Sequence, residues 1–97
     1  MTQKKKPEGG FRARLTIRNE RGLHARAAAK FVRTAARFEA KIMVQRRGIA
    51  VSGLSIMGLL TLAASRGTRI EIEATGGDAE TALAALSGLV RDGFDEA

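Results

Sequence analysis

The clearest structural pattern in the sequence is Phe11-Arg-Ala-Arg-Leu-Thr-Ile-Arg18, in which apolar and polar residues alternate without a break. A second stretch, Thr68-Arg-Ile-Glu-Ile-Glu-Ala74, alternates in the same way. Because successive side chains of a strand point to opposite faces, this alternation predicts strands with one face on a core and one face in water. An antiparallel sheet with one wet face follows, and helices are expected to cover the other face.

In the rest of the chain, the spacing of apolar residues predicts three helices and a hairpin. The first helix runs from about Ala25 to Arg37, the second from Ser55 to Ala63 with Ser55 as N-cap, and the third follows Asp78. The hairpin joins 41–45 to 49–52 around residues 46–48. The order β-α-β-β-α-β-α predicts an α/β (α+β) open-faced sandwich, a four-stranded antiparallel sheet covered on one face by three helices.

The chain of 97 residues is long enough for one domain and one core. We assign residues 11–97 to that domain and residues 1–10, which are polar and contain three consecutive lysines, to a disordered basic tail. No apolar run suits a membrane span or a signal peptide, so we expect a cytoplasmic protein with no membrane insertion, and a monomer. With no cysteine and one histidine, no metal site and no cofactor are expected.

The net charge of +7 is spread unevenly along the chain. Residues 1–48 hold 14 of the 17 basic residues and 3 of the 10 acidic ones, a net of +11, whereas residues 49–97 carry a net of −4. Such asymmetry indicates a basic face for an anionic partner. A basic nucleic-acid-binding module is the alternative function, although the chain has neither the G-x-x-G clamp nor the aromatic-rich strand of common RNA-binding folds.

The single histidine, His24, stands where the loop after the first strand enters the first helix. A helix N-terminus offers unpaired N–H groups and a positive dipole end, which suit a phosphate. Arg26, two residues further, can add a charge-assisted contact. This pair supports anion binding; an N-cap or surface histidine with no such role is the alternative.

Two segments carry a resemblance to a known family. Gly22-Leu-His-Ala-Arg-Ala-Ala-Ala-Lys-Phe-Val32 resembles the active-site segment of HPr, the histidine-containing phosphocarrier of the bacterial phosphotransferase system, and Ser55-Ile-Met-Gly-Leu-Leu-Thr-Leu62 resembles its regulatory-serine region. The order and spacing of the segments also match. The chain departs from the family pattern at Ala27, where proline is usual, and at Leu54, where lysine is common.

The resemblance implies that His24 accepts a phosphoryl group from a phosphoenolpyruvate-dependent enzyme I and donates it to an enzyme IIA domain. It implies that Arg26 steadies the phosphohistidine and that Ser55 is a regulatory phosphorylation site for an HPr kinase/phosphorylase. Such a protein is a carrier that needs a partner enzyme for each transfer, as in sugar transport, and not an enzyme in its own right.

The partner surface is predicted from the residues themselves. The short second helix is apolar on nearly every side, so it cannot bury all of its side chains. Ile56 and Met57, in its first turn, are the candidates for an exposed partner patch. Lys30 and Arg33 of the first helix would border this patch and favour acidic partners.

Overall fold

The computed structural model describes residues 10–96 and the backbone of residues 2–5; residues 1, 6–9 and 97 lie outside the described residues. The described chain forms five strands, three helices and a final turn of 3-10 helix. Their bounds are β1 Thr2–Lys5, β2 Phe11–Thr16, α1 Ala25–Ala35, β3 Lys41–Arg46, β4 Ile49–Ser52, α2 Ile56–Thr61, β5 Arg69–Thr75, α3 Ala79–Arg91 and the 3-10 turn Gly93–Asp95.

The strands form one antiparallel sheet in the order β1-β2-β5-β3-β4. The register places apolar residues side by side on one face: Leu15 opposes Ile70, and Ile72 lies between Ala13 and Val44. The charged residues that alternate with them point to the other face. The predicted alternation is therefore confirmed in β2 and β5, and the fold is the predicted open-faced α/β sandwich.

The three helices cover the apolar face of the sheet, and α1 packs against both α2 and α3. Phe31 of α1 is fully buried, and Leu83 and Leu86 of α3 pack into the same core. Burial of a side chain of this size stabilises the fold by about 1.5–3 kcal/mol. The core therefore holds α1, with His24 at its start, in a defined place over the sheet.

The N-terminus differs from the prediction. Residues 2–5, assigned from the sequence to a disordered tail, form β1 and pair with β2, so the sheet has five strands among the described residues instead of four. The remainder of the predicted tail, residues 1 and 6–9, lies outside the described residues. The edge of β2 offers unpaired N–H and C=O groups to any extended segment, whatever its side chains, and side-chain patterning does not reveal such pairing.

Helices α1 and α2 are shorter than their patterns predict. Helix α1 ends at Ala35, where the N–H groups of Arg37 and Phe38 bond to the carbonyls three residues earlier. This tighter hydrogen bonding is common in a last helical turn. Among the described residues, none of the helices has the length and apolar character needed to cross a membrane.

Candidate phosphoryl-acceptor site

His24 is the N-cap residue of α1, in an extended backbone conformation. Its carbonyl accepts the first helical hydrogen bond, from the N–H of Ala28 at 2.8 Å. Within the described part of the chain, its imidazole makes no hydrogen bond to the helix it caps. The first-turn amides are therefore left without a side-chain acceptor, and such groups bind anions well.

The loop before His24 is fixed by a close backbone approach. Gly22 has a φ of +67°, and a Cβ there would lie 2.6 Å from the carbonyl oxygen of Ala64. The next residue, Leu23, is buried and donates its N–H to that same oxygen at 2.9 Å. Only glycine fits this contact without strain. The loop thus docks on the segment after α2, and this docking sets where His24 stands.

The imidazole of His24 has a carboxylate partner that the sequence did not suggest. Its Nε2 atom is hydrogen-bonded to Oε2 of Glu96, and Oε1 of Glu96 accepts a 3.0 Å bond from Nδ2 of Asn19. Asn19 is buried and also donates to the carbonyl of Gly22 at 2.7 Å. The hydrogen bond from His24, with that from Asn19 second, lowers the pKa of Glu96. A single hydrogen-bonded network therefore joins the histidine, its loop and the C-terminus.

The basic residues predicted for the site divide into two kinds. Arg26 and Arg33 are exposed, as a role in contacting a ligand or partner requires. Lys30 instead donates its Nζ to the carbonyl of Phe94 at 2.7 Å. Its ammonium group thus binds the C-terminal segment of its own chain.

A cavity of about 780 Å³ lies beside this network and includes Asn19 and Glu96 in its wall, although His24 itself is not a wall residue. Its wall includes Arg26, which the sequence singled out, and four arginines that it did not: Arg18, Arg21, Arg66 and Arg91. Arg18 and Arg21 belong to the loop before α1, whereas Arg66 and Arg91 come from distant parts of the chain, so no single local motif could have grouped all four. The wall also holds four acidic residues, against six basic ones, and this excess of cations favours a phosphate or an acidic partner.

Ser55 is the N-cap of α2, as predicted: its Oγ accepts a hydrogen bond from the N–H of Gly58 at 2.9 Å. The side chain is partly exposed. At the other end of α2, Arg46 donates to the carbonyl of Leu62 at 2.9 Å and satisfies the helix C-terminus. Both ends of this short helix therefore have side-chain partners.

Ile56 and Met57 are exposed, Met57 by 73%. Two further large apolar residues are exposed nearby in the chain: Ile49 in β4, and Leu54, 56% exposed, in the turn before α2. We call Ile49, Leu54, Ile56 and Met57 the α2 patch. In the sequence, Leu54 stands out only as a departure from the family pattern, and its apolar character beside Ser55 was the available signal.

The described residues contain no group of three or more histidines, cysteines or acids placed to hold a metal ion. The groups that the site presents are the imidazole, its carboxylate partner and the surrounding cations. Together with the fold, these define a small domain that presents one histidine at a helix N-terminus, a place of the kind that suits a phosphate.

Comparison with known proteins identifies the family. Residues 11–92 match the sequence model described as "PTS HPr component phosphorylation site". The phosphocarrier protein HPr of Neisseria meningitidis is 45% identical over 82 residues, which are 84% of this chain and 92% of that protein. The chain belongs to the HPr family of phosphocarrier proteins.

Solved structures support the same family assignment. HPr from Thermoanaerobacter tengcongensis superposes with a TM-score of 0.85 at 40% identity, over 89% of this chain and 97% of that one. HPr from Bacillus anthracis superposes with a TM-score of 0.80 at 42% identity, over 84% of this chain and 96% of that one. The predicted resemblance is confirmed, and with it the role of a bacterial phosphotransferase-system phosphocarrier that acts through phosphohistidine in sugar transport. The nucleic-acid alternative receives no support.

Proposed function

We propose that His24 is the residue of this phosphocarrier that takes a phosphoryl group from enzyme I, charged by phosphoenolpyruvate, and passes it to an enzyme IIA domain. The observation that carries the proposal is the position of His24. It is the one histidine of the chain, and it stands at a helix N-terminus that its own side chain does not cap within the described structure. Use of phosphoenolpyruvate implies that the protein works in the cytoplasm. We further propose that it works as a monomer, with no cofactor and no metal.

The transfer exchanges one bond to phosphorus for another. A lone pair of the His24 imidazole forms the N–P bond while the bond between phosphorus and the donor breaks, and that electron pair leaves with the donor. Donation to enzyme IIA reverses the exchange at His24. A bond between phosphorus and the acceptor group forms while the N–P bond breaks, and its electron pair returns to the imidazole. In the proposal the first-turn amides of α1 hold the phosphoryl oxygens, and the guanidinium of Arg26 adds a charge-assisted hydrogen bond.

The partner surface in the proposal is the α2 patch together with the basic side of α1. The exposure of Met57, Ile56 and Leu54 supports it, since apolar side chains in water near a reactive site mark protein contacts. Arg33 and Lys30 are the basic residues proposed to meet an acidic partner; Arg33 is exposed, and Lys30 also donates its Nζ to the carbonyl of Phe94.

Ser55 is proposed as a regulatory phosphorylation site for an HPr kinase/phosphorylase. A phosphate there would place about two negative charges among the apolar side chains of the α2 patch. Docking would weaken because those charges would have to be desolvated on contact. The stability of the α2 helix itself would increase, because a helix N-terminus favours negative charge.

Incubation with enzyme I and labelled phosphoenolpyruvate tests the proposal. We expect an acid-labile label on the wild-type protein that passes to enzyme IIA on addition. His24→Ala should remove the label, and so should His24→Asn, which keeps a good N-cap residue and so controls for folding. The proposal fails if the wild-type protein stays unlabelled, or if the label persists undiminished in both variants.

A further inference from the structure

The cavity beside the His24 network carries more positive charge than the chain itself neutralises. Its wall holds six basic and four acidic residues, a net charge of +2. Five of the basic residues are exposed arginines: Arg18, Arg21, Arg26, Arg66 and Arg91. Among the residues that the structure describes, none of these five side chains makes a hydrogen bond or an ion pair with a protein group. Their guanidinium groups are therefore available to a ligand.

The acidic residues of the wall do not occupy these arginines. Both carboxylate oxygens of Glu96 are engaged by His24 and Asn19, and Arg21 acts on Glu96 through its charge and not through a bond. The other three acids are exposed, and within the described ranges they form no ion pair; they are Glu20, Asp92 and Asp95. An anionic ligand would therefore meet guanidinium groups without first breaking an ion pair of the protein.

The size and the wall of the cavity indicate the chemistry of the ligand. A volume of about 780 Å³ lies in the range of small-molecule sites, and a single phosphate group fills only a small part of it. Apart from Gly93, every residue of the wall has a polar or charged side chain, and none is aromatic. The cavity thus suits a small molecule that carries several negative charges and needs no apolar contact.

From these observations we infer that the cavity binds a small oligophosphate, a molecule in which two or three phosphate groups are joined in a chain. A guanidinium group binds phosphate oxygens through paired, charge-assisted hydrogen bonds. Arg26 comes from α1, Arg66 from the segment after α2, and Arg91 from the end of α3. Cations on three separate elements match oxygens spread along a chain better than the oxygens of one phosphate.

The site shares Arg26 with the proposed phosphoryl-acceptor site. In the proposed function Arg26 steadies the phosphohistidine, so a bound oligophosphate competes for the same guanidinium group and slows phosphoryl acceptance by His24. This regulatory consequence rests on the proposed function. Binding in the cavity does not, because His24 is not a wall residue.

Calorimetric titration of the unphosphorylated, full-length protein tests the inference. The probes are inorganic pyrophosphate, ADP and inorganic phosphate, all at one ionic strength because salt screens exposed charges. We expect pyrophosphate to bind at least about tenfold more tightly than phosphate, since it engages more guanidinium groups. ADP, whose base finds no aromatic partner in the wall, should match pyrophosphate within about threefold.

Arg66→Gln and Arg91→Gln should each weaken pyrophosphate binding about fivefold or more, because each removes a charge-assisted contact. Neither residue belongs to the proposed phosphoryl-acceptor site or to the proposed docking surface. Arg69→Gln is the matched control: Arg69 is an equally exposed arginine three positions beyond Arg66, outside the wall of this cavity. It removes the same charge and should change the affinity less than twofold.

Three results would overturn the inference. Pyrophosphate that binds no more tightly than phosphate contradicts the oligophosphate, and equal losses in Arg66→Gln and Arg69→Gln reduce the effect to general charge attraction. If Arg66→Gln and Arg91→Gln weaken binding to enzyme I and leave the pyrophosphate affinity unchanged, the cavity belongs to an acidic protein partner instead. ADP that binds more than about tenfold more tightly than pyrophosphate would assign the site to nucleotides and contradict recognition of the phosphate chain alone.

The rate at which enzyme I labels His24 tests the regulatory consequence. At constant free Mg²⁺, pyrophosphate should slow labelling of the wild-type protein and slow that of Arg66→Gln less. An equal slowing in both would place the effect on enzyme I and contradict competition at Arg26. If enzyme I fails to label the wild-type protein at all, the proposed function fails, while the titrations still decide the oligophosphate site.

Discussion

Helices α1 and α2 each begin at a polar residue in extended backbone conformation, His24 and Ser55, and the two side chains differ in what they contact. The hydroxyl of Ser55 turns onto its own helix and accepts the N–H of Gly58. The imidazole of His24 turns away from α1 and meets Glu96. The same N-cap position is therefore occupied by its own side chain in α2 and left open to a ligand in α1.

The surroundings of the two helix N-termini also differ, and the difference matches that between their N-cap side chains. Next to His24 lies a cavity with several arginines in its wall, and next to Ser55 lies the apolar α2 patch. Cations and open amides suit a phosphoryl group, whereas exposed apolar side chains suit a protein partner. In the proposed function, chemistry and docking are divided between these two helix starts, and substitutions at four positions test that division, from the largest expected effect to the smallest.

Gly22→Ala should give the largest effect, because it breaks the docking that places His24. The substitution combines a positive φ with a Cβ 2.6 Å from the Ala64 oxygen, and it should lower the free energy of unfolding by about 2–5 kcal/mol. Urea denaturation measures the loss. Gly67→Ala, which has a φ of +89° but open space around its Cβ, isolates the cost of φ alone and should lose about 1–2 kcal/mol. Equal losses in the two variants would contradict the close approach.

Arg26→Ala tests whether the open α1 N-terminus needs its guanidinium. We expect the rate of phosphoryl acceptance from enzyme I to fall about tenfold, less than for removal of a buried donor because Arg26 is exposed. Stability should change by no more than about 0.5 kcal/mol. Arg33→Ala, on the same helix and equally exposed, is the control and should change the rate less than twofold. An identical loss in both variants would assign the effect to general charge attraction.

Ser55→Ala opens the α2 N-terminus and should cost about 1 kcal/mol of stability, since Gly58 loses its acceptor. Phosphorylation of His24 by enzyme I should be unchanged within twofold, because the two N-termini act separately. Thermal or urea unfolding measures the first effect and labelling the second. Ser65→Ala, an exposed serine, should leave the free energy of unfolding unchanged. A stability loss in Ser65→Ala as large as that in Ser55→Ala would argue against the cap.

Glu96 gives the smallest effect, a pH dependence. Its folded-state pKa is lowered, by the bonds from His24 and Asn19 and by the charge of Arg21. A carboxylate with a lowered pKa contributes stability above its unfolded pKa of about 4.3 and loses that contribution as pH falls through the folded value. The wild-type protein should therefore exceed Glu96→Gln in urea midpoint at pH 7, and the difference should shrink as the pH falls below about 4.3. A difference that grows on acidification would contradict the assignment.

The parts predicted from the sequence are those that depend on neighbouring residues. Alternation at 11–18 and 68–74 predicted β2 and β5 because side-chain direction in a strand follows from chain position alone. The Ser55 cap was predicted for the same reason, since its partner Gly58 lies three residues away. His24 was singled out by its place at a helix start.

The parts that were missed depend on contacts between distant residues. Strand β1 forms because β2 has a free edge, not because its own residues show a strand pattern. Lys30, which stays a predicted partner-surface residue, donates to a carbonyl 64 residues away, and the sequence did not suggest this contact. Neither pairing leaves a local pattern that could be recognised before the chain is folded.

Periodicity and capping act over a few residues, so the sandwich, the helix start at His24 and the cap at Ser55 follow from the sequence. Which nitrogen of His24 has a partner depends instead on the tertiary fold. That choice requires Phe94 to be buried and the backbone after it to turn left-handed, so that Glu96 reaches the ring. Packing of the whole core supplies the free energy for this turn, and no local stretch of sequence contains it.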